Sequence, residues 1–500
     1  MSDNGSGTYQ QVIGGLRWIA LSRALVQSAS WVLTLVTVRL LTPFDYGIMS
    51  MAAVLTLFAG LLIDGGLGPV LMQRKDITVE VMRSATGVLL LTSLVGIIAV
   101  QLAAVPTALF FKEPKLETLL RVASIQFLIG ALCIVPASML ASRMQFREQA
   151  VTHVAAGVVQ GALTLTLAFL GYGYWALMWG TLISALLRTV MLIAYARVPV
   201  TPSLRFGVLR PYLGFARYTI GERFLFYFIQ QTDSTIVGRM LGAEALGAFS
   251  LAKQFSHTPL DKIGDIASQV TLPAFSRIQH DPHAITEGVR RLMQLGAVIS
   301  FPTFWGLMVT APFAVPVILG PGWTSANWPM IAYCTALPIR VSATLLSRVI
   351  VGVGQPKISF QNQLLWPLIV LPALIVGARH QTTGVALAWA LSFPMMFAIS
   401  TYRVAAALRM RWSALLAPLL RPALAAAVMA ALVWFINDML TLDAPNVVRL
   451  IVATIVGSVT YVAALRLIAG TAYAETLEFL WRFLGQRPQT TPTAPDRAAK

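Results

Sequence analysis

Apolar segments that match the thickness of a lipid bilayer make up most of this chain, and short polar connections separate them. A transmembrane helix needs roughly 20 predominantly apolar residues. Fourteen segments meet this requirement: 13–40, 46–70, 84–108, 118–141, 151–170, 173–196, 214–240, 246–275, 292–319, 325–353, 358–377, 382–408, 414–436 and 447–469. Because lipid cannot satisfy exposed backbone groups, the sequence predicts an all-α polytopic membrane protein with about 14 transmembrane helices.

The composition excludes a soluble globular domain of ordinary type. Hydrophobic residues make up 57% of the chain and charged residues only 11%, whereas soluble domains carry about 25% charged residues. The net charge of +17 would indicate nucleic-acid binding in a soluble protein. In a membrane protein, basic residues collect in cytoplasmic loops and near anionic headgroups. We therefore expect the bilayer as a partner and no nucleic acid.

The basic residues also predict the orientation of the chain. If the N-terminus is cytoplasmic, most loop arginines, such as Arg83, Arg143 and Arg210, fall on the inner side. The outer connections then carry few positive charges, Arg39 and Arg239 among them. A miscounted helix would scramble this alternation. The sequence thus predicts a multi-pass protein with both termini in the cytoplasm.

The chain contains an internal repeat. Shifting residues 17–70 by 200 positions, without a gap, aligns ten identical residues, including Arg23 with Arg223, Arg39 with Arg239 and Gly47 with Gly247. The repeat predicts two six-helix lobes, two extra helices and the following domains: an N-lobe at 1–196, a basic cytoplasmic linker at 197–213, a C-lobe at 214–408, helices 13 and 14 at 409–470, and a partly disordered cytoplasmic tail at 471–500. Six helices return the chain to the same side, so the lobes should be related by an axis along the membrane normal. A cavity between them is the expected place for a transported substrate.

A polar stripe follows one face of predicted helix 1. Arg23, Gln27, Ser30 and Thr34 are spaced by three or four residues, which places them on the same side of a helix. Arg23 lies ~15 Å from the inner end, where a charge costs roughly 2.5 kcal/mol or more. A forked guanidinium in a wet cavity suits a diphosphate. The structural alternative is that a carboxylate or freed backbone carbonyls hold this arginine.

The second lobe repeats and extends this pattern. Arg223 and Gln230 occupy the matching positions of predicted helix 7. Arg340, midway along predicted helix 10, aligns with Val135 at an offset of 205 and is therefore specific to the second half. We expect Arg340 either to add to an anion-attracting cavity or to form a salt bridge with Asp233.

Several ionisable residues in predicted helices 7 and 8 are candidates for ion coupling. Asp233 and Lys253 lie at similar depth and should pair, whereas Asp265 lies nearer the inner side. Lys253, His257 and Asp261 repeat every four residues on one face, as in a protonatable track. The alternative is a set of structural ion pairs within one lobe.

No motif in the sequence predicts a cofactor or a metal site. The GxxxxGK[ST] phosphate loop and the HExxH zinc motif are both absent. Cys133 and Cys334 fall in apolar segments and are expected to be packed core residues. Trp323 and Trp328 are expected in an interfacial aromatic belt.

Two stretches of the sequence resemble a known family of exporters. RLLTPFDYGIMSMAAVLTLFAGLLIDGGLGPVLMQRKDIT from Arg39, and VGRMLGAEALGAFSLAKQFSHTPLDKIGDIASQVTLPAFSRIQHD from Val237, resemble Wzx-type polysaccharide exporters of the multidrug/oligosaccharidyl-lipid/polysaccharide exporter superfamily. GYGYWALMWG at 171–180 is a weaker match. The resemblance implies a flippase that moves undecaprenyl-diphosphate-linked oligosaccharides to the periplasmic leaflet of a bacterial inner membrane for exopolysaccharide, capsule or O-antigen synthesis. It also implies lobes that alternate between inward-open and outward-open states.

Three other functions remain alternatives. A polysaccharide polymerase or glycosyltransferase would need a sizeable outer loop to assemble its acids and bases, yet the longest outer connection has only about a dozen residues, so no enzyme is predicted. A drug or organic-cation antiporter of the same superfamily should present carboxylates or aromatic cages, whereas helix 1 offers Arg23 and no acid. A scaffold would not need buried polar stripes. Polymerases and glycosyltransferases stay open as partners, and a monomer suffices.

Overall fold

The structure, a computed structural model, describes residues 32–64, 67–73, 77–199, 201–439, 444–470 and 473. Every regular element within these residues is a helix. The first helix, α1, covers residues 32–40. The others are α2 Pro43–Asp64, α3 Leu67–Gln73, α4 Val79–Phe111, α5 Lys115–Ala123, α6 Ile125–Ser142, α7 Phe146–Phe169, α8 Tyr174–Ala196, α9 Phe206–Ile278, α10 Pro282–Ile318, a 3₁₀ helix Pro321–Ala326, α11 Asn327–Gly352, α12 Pro356–Ala378, α13 Gln381–Ala407, α14 Trp412–Met439 and α15 Asn446–Ile468.

The prediction of an all-α polytopic membrane protein is confirmed. Eleven candidate spans in the described part of the chain are long and apolar enough to cross a membrane. Two further predicted spans, at 214–240 and 246–275, lie within α9. The remaining one, predicted at 13–40, is described only at its C-terminal end, as α1. Each of the fourteen predicted spans therefore coincides, in whole or in part, with a described helix.

The connections between spans differ from the predicted ones in several places. The expected loop between predicted helices 7 and 8 is only a sharp kink in α9 at Gly242, whose φ of 87° suits glycine. In the segment predicted as one helix over 46–70, the structure describes α2 to Asp64 and α3 from Leu67. The helix predicted over 118–141 is two helices, α5 and α6, which meet at Ser124.

The structure groups the chain into two compact units. One contains residues 1–253, 315–329 and 371–386, and the other contains 254–314, 330–370 and 387–500. In the first unit, α3, α4, α6 and α8 share a core of buried residues that includes Leu71, Leu89, Leu140 and Leu192. Such cores supply the van der Waals packing that holds helices together in lipid. The division into lobes at 1–196 and 214–408 stays a prediction.

Within the first unit, the two repeated segments meet through paired glycines. A β-carbon added to Gly47 would overlap the carbonyl oxygen of Ala243, and one added to Gly247 would overlap that of Pro43. Residues 43 and 243, like 47 and 247, are separated by the repeat offset of 200. The contact is therefore reciprocal, as across a two-fold axis, and it brings α2 and the second part of α9 into backbone contact.

Polar contacts surround this crossing at the end that the charge pattern places outside. Arg39 Nε donates to the carbonyl oxygen of Ile318 at 3.2 Å, and another nitrogen of its guanidinium donates to that of Val317. Trp323 Nε1 donates to the Val38 carbonyl oxygen at 3.0 Å, and its ring packs edge-on against Tyr46. The expectation that Trp323 belongs to an interfacial belt is wrong, since this side chain is 2% exposed.

The repeat-related arginine makes a corresponding contact. Arg239 lies 5.3 Å from the ring centroid of Phe110, near the C-terminal end of α4. Arg39 thus contacts the C-terminal end of α10, and Arg239 contacts that of α4. In each case the arginine and the helix belong to different halves of the sequence. Together with the glycine crossing, they join both halves at the predicted outer end.

Candidate functional site

Much of the predicted anion-binding stripe lies outside the described residues. This applies to Arg23, Gln27 and Ser30, and to the side chain of Arg223 in the second half. The side chain of Asp265, a coupling candidate, also lies outside them. Their roles stay predictions. Thr34 is described and is partly buried on α1.

The polar face of α9 that repeats the helix 1 stripe contacts α2. The Tyr227 hydroxyl lies 3.0 Å from the carbonyl oxygens of Ala53 and Val54, to which it donates. Its ring lies 6.4 Å from that of Phe58. A phenol hydroxyl on backbone carbonyls is a polar contact between two apolar helices. It holds the first part of α9 against the first repeat.

Asp233 and Lys253 form a buried ion pair across the kink of α9. Lys253 Nζ lies 2.8 Å from both carboxylate oxygens of Asp233, and the Asp233 side chain is completely buried. Lys253 also donates to the carbonyl oxygen of Gln230 at 2.9 Å. The structure therefore joins the two residues that similar depth predicted to pair. Because this carboxylate is already compensated by an ammonium group, it is not a ready site for an organic cation.

The remaining coupling candidates follow Lys253 along α9. The His257 ring packs edge-on against Tyr333, with 5.4 Å between ring centroids. Asp261 is exposed. Helical spacing places the three residues on one face, but only Lys253 joins the buried pair among the contacts described above. A proton track through them stays a prediction.

Arg340 packs on aromatic rings. Its guanidinium carbon lies 5.1 Å from the ring centroid of Phe393 and 6.0 Å from that of Trp366. Arg340 therefore lies in an aromatic environment, and the two roles expected for it from the sequence stay predictions.

Sequence reasoning missed Arg188. This residue lies on α8, eight residues from its inner end, or ~12 Å. It is close enough to His153 and Cys133 for electrostatic interaction, and its Nε has no hydrogen-bond partner among the described residues. A lone arginine in an apolar segment is the signal that singled out Arg23, and it applies equally here.

No cluster of three or more His, Cys, Asp or Glu side chains that could hold a metal ion occurs in the described part of the chain. Besides the ion pair of Asp233 and Lys253 and the hydroxyl of Tyr227, the fold places the Arg340 guanidinium against aromatic rings. Their chemistry is that of binding sites for anions and hydroxyl-bearing ligands.

Comparison with known proteins places these features in a family. Residues 36–327 match the family described as "Polysaccharide biosynthesis protein". The succinoglycan biosynthesis transport protein ExoT of Rhizobium meliloti is 26% identical over 89% of this chain and 90% of its own length. The lipopolysaccharide biosynthesis protein WzxC of Escherichia coli is 22% identical over 74% of this chain and 76% of its own.

Solved structures share the fold. The lipid II flippase MurJ in an inward closed conformation aligns with a TM-score of 0.69 and 14% identity over 93% of this chain and 99% of that protein. An inward-facing multidrug resistance MATE family transporter of the MOP superfamily aligns with a TM-score of 0.53 and 14% identity, covering 76% and 95% of the two chains. At these identities the likeness concerns the arrangement of helices.

Proposed function

The chain belongs to the family of polysaccharide biosynthesis proteins, and on that premise we propose that it is a flippase for lipid-linked oligosaccharides. It moves undecaprenyl-diphosphate-linked units from the cytoplasmic to the periplasmic leaflet of a bacterial inner membrane. Relatives named for succinoglycan transport and lipopolysaccharide biosynthesis support this substrate class. The protein acts as a transporter and not as an enzyme.

The reciprocal contact of Gly47 and Gly247 is the observation that carries this proposal. It joins two repeated segments by small residues at the predicted outer end. A packed contact of this kind has two discrete arrangements, together or apart, which is what a gate in a transporter requires. In this arrangement the outer end is held together, and a substrate would enter from the cytoplasmic side.

The cations within the membrane support an anionic headgroup as substrate. Arg23 and Arg223 are the proposed diphosphate ligands, and Arg188 adds a third guanidinium at the predicted inner third of α8. A charged residue at such depth is costly and is retained where it meets a ligand, a partner or water. A diphosphate supplies the opposite charge and several acceptor oxygens.

The deciding experiment measures the sidedness of the lipid-linked oligosaccharide. Inner-membrane vesicles from cells with and without this protein are treated with a membrane-impermeant glycosidase or lectin. We expect the oligosaccharide to accumulate on the cytoplasmic leaflet when the protein is absent. Unchanged sidedness with failed polymer assembly would replace the flippase with a polymerase or scaffold. A drug-sensitive strain with normal glycans would replace it with an antiporter.

A further inference from the structure

The second compact unit contains an aromatic cluster in the middle of the predicted bilayer. Arg340 on α11 lies roughly 18–20 Å from both ends of its helix. Trp366 on α12 and Phe393 on α13 pack on its guanidinium, and Trp389 on α13 packs on both of these rings. Three helices of one unit therefore converge on a single guanidinium.

The rings of this cluster pack closely on one another. The centroids of Trp366 and Trp389 are 4.9 Å apart, and those of Trp389 and Phe393 are 4.8 Å apart and stacked. The ring centroid of Tyr333, which lies two turns before Arg340 on α11, is 6.0 Å from that of Trp389. Trp389 and Tyr333 are buried, whereas Trp366 and Arg340 are partly exposed. Trp389 and Tyr333 thus form the buried side of the cluster. The indole of Trp366 and the guanidinium of Arg340 form its partly exposed side.

Two polar groups of the same helices lack partners. Trp389 is 2% exposed, yet its indole N–H has no acceptor within the described residues. The amide oxygen of Asn362, one turn from Trp366 on α12, likewise has no donor there. Buried polar groups are normally satisfied, and leaving one unsatisfied costs about 1–3 kcal/mol. A donor and an acceptor thus remain for a ligand beside the aromatic surface.

The internal repeat indicates that the fold does not require an arginine at position 340. The position that aligns with Arg340 in the first half is Val135, which is 1% exposed in the apolar core of the first unit. A valine therefore packs well at the corresponding place in the fold. A charge in mid-bilayer is costly and marks a candidate functional site.

We propose that Arg340, Trp366, Asn362 and Trp389 form a glycan-binding subsite for the sugars of the transported lipid. A sugar ring has apolar C–H faces, which pack on aromatic rings, and a rim of hydroxyl groups, which need both donors and acceptors. Aromatic walls with a few convergent polar groups match that ligand. The positive guanidinium disfavours an organic cation. A polyprenyl chain is a hydrocarbon and could not form hydrogen bonds with the polar groups of the cluster. The inference rests on the proposed function and adds a site that recognises the sugar rather than the diphosphate.

The experiment uses the full-length protein in nanodiscs and two lipid probes. One is undecaprenyl diphosphate without sugar. The other is the undecaprenyl-diphosphate oligosaccharide extracted from cells that lack this protein. Affinities for both are measured by native mass spectrometry for the wild type, Arg340→Met, Arg340→Lys and Trp366→Leu. Exposed residues of α11 supply the matched controls Arg348→Met and Trp328→Leu.

We expect Arg340→Met to weaken binding of the sugar-bearing lipid about tenfold or more, because it loses a charge-assisted hydrogen bond. Trp366→Leu should weaken it about tenfold, because it loses the aromatic face on which the sugar packs. Arg340→Lys should fall between Arg340→Met and the wild type, because it keeps the charge but loses the planar fork. Binding of the bare lipid should stay within about twofold of wild type, which also reports that the variants are folded.

Two results would overturn the subsite. Equal loss for both lipids would assign Arg340 to the diphosphate, and wild-type affinity of Arg340→Met and Trp366→Leu for the sugar-bearing lipid would leave the cluster a structural one. If the wild type bound neither lipid, the proposed function itself would fall, and the subsite with it.

Discussion

The buried carboxylate of Asp233 holds the ammonium group of Lys253 at 2.8 Å from both of its oxygens, across the kink in α9. The Lys253 side chain is 20% exposed, whereas Asp233 is completely buried. Two charges removed from water are stable only as long as each compensates the other. The pair therefore ties the two parts of α9 together on either side of Gly242.

Reversing one charge of this pair should be far worse than exchanging both. Asp233→Lys or Lys253→Asp alone leaves two like charges side by side, and breaking such a pair typically costs about 3–5 kcal/mol. We expect each single variant to lose abundance and export. The double exchange should recover part of both, as measured by membrane abundance and polysaccharide export. Glu244→Gln, an exposed position of the same helix, is the control, and a double variant no better than the singles would contradict the coupling.

Adding a methyl group at the glycine crossing should disturb both repeats alike. Gly47→Ala and Gly247→Ala each place a β-carbon against a backbone carbonyl, and overpacking of this kind costs about 1–3 kcal/mol. We expect both variants to have a lower Tm in detergent and reduced export. Gly60→Ala, on the same helix as Gly47, has open space around its added carbon and should behave as wild type. A loss at Gly47 without a loss at Gly247 would contradict the reciprocal contact.

Arg23 is expected to bind the diphosphate. Arg23→Ala should abolish export while membrane insertion and abundance stay near normal. Arg23→Lys should restore export only partly, because an ammonium group cannot make the forked contact of a guanidinium. Normal export from a well-expressed Arg23→Ala variant would remove this residue from the anion site.

Arg188 should help to attract the diphosphate of the substrate. Arg188→Met removes the charge while keeping much of the side-chain volume, and we expect export to fall roughly tenfold to a hundredfold, in line with the loss of a charged hydrogen bond. Arg147→Met, at an exposed position on α7, is the matched control. Equal export from both variants would show that Arg188 serves packing alone.

The membrane-spanning helices could be predicted because hydropathy acts locally. Each apolar segment must bury its own backbone polar groups, so its length and composition suffice to identify it. The junction of α5 and α6 at Ser124 could not be predicted. Neighbouring helices decide such interruptions, since they determine which backbone groups find partners.

Contacts in the candidate site could be predicted only for residues at the same depth in the membrane or at matching positions of the internal repeat. Similar distance from the membrane surface was enough to propose the pair of Asp233 and Lys253. The aromatic partners of Arg340 carried no such signal, because they come from two other helices whose rotation about their axes is set by packing. Arg188 carried the same signal as Arg23 and could have been recognised.

By itself, the sequence determined that this protein spans the membrane many times, contains an internal repeat, and carries arginines in apolar segments. These properties follow from the transfer of each side chain between water and hydrocarbon, to which each position contributes on its own. Only the tertiary structure decided that Gly47 and Gly247 meet, that Lys253 neutralises Asp233, and that Arg340 packs on aromatic rings. Such contacts join residues far apart in the chain, and close packing of whole helices selects among the many pairs that depth alone would allow.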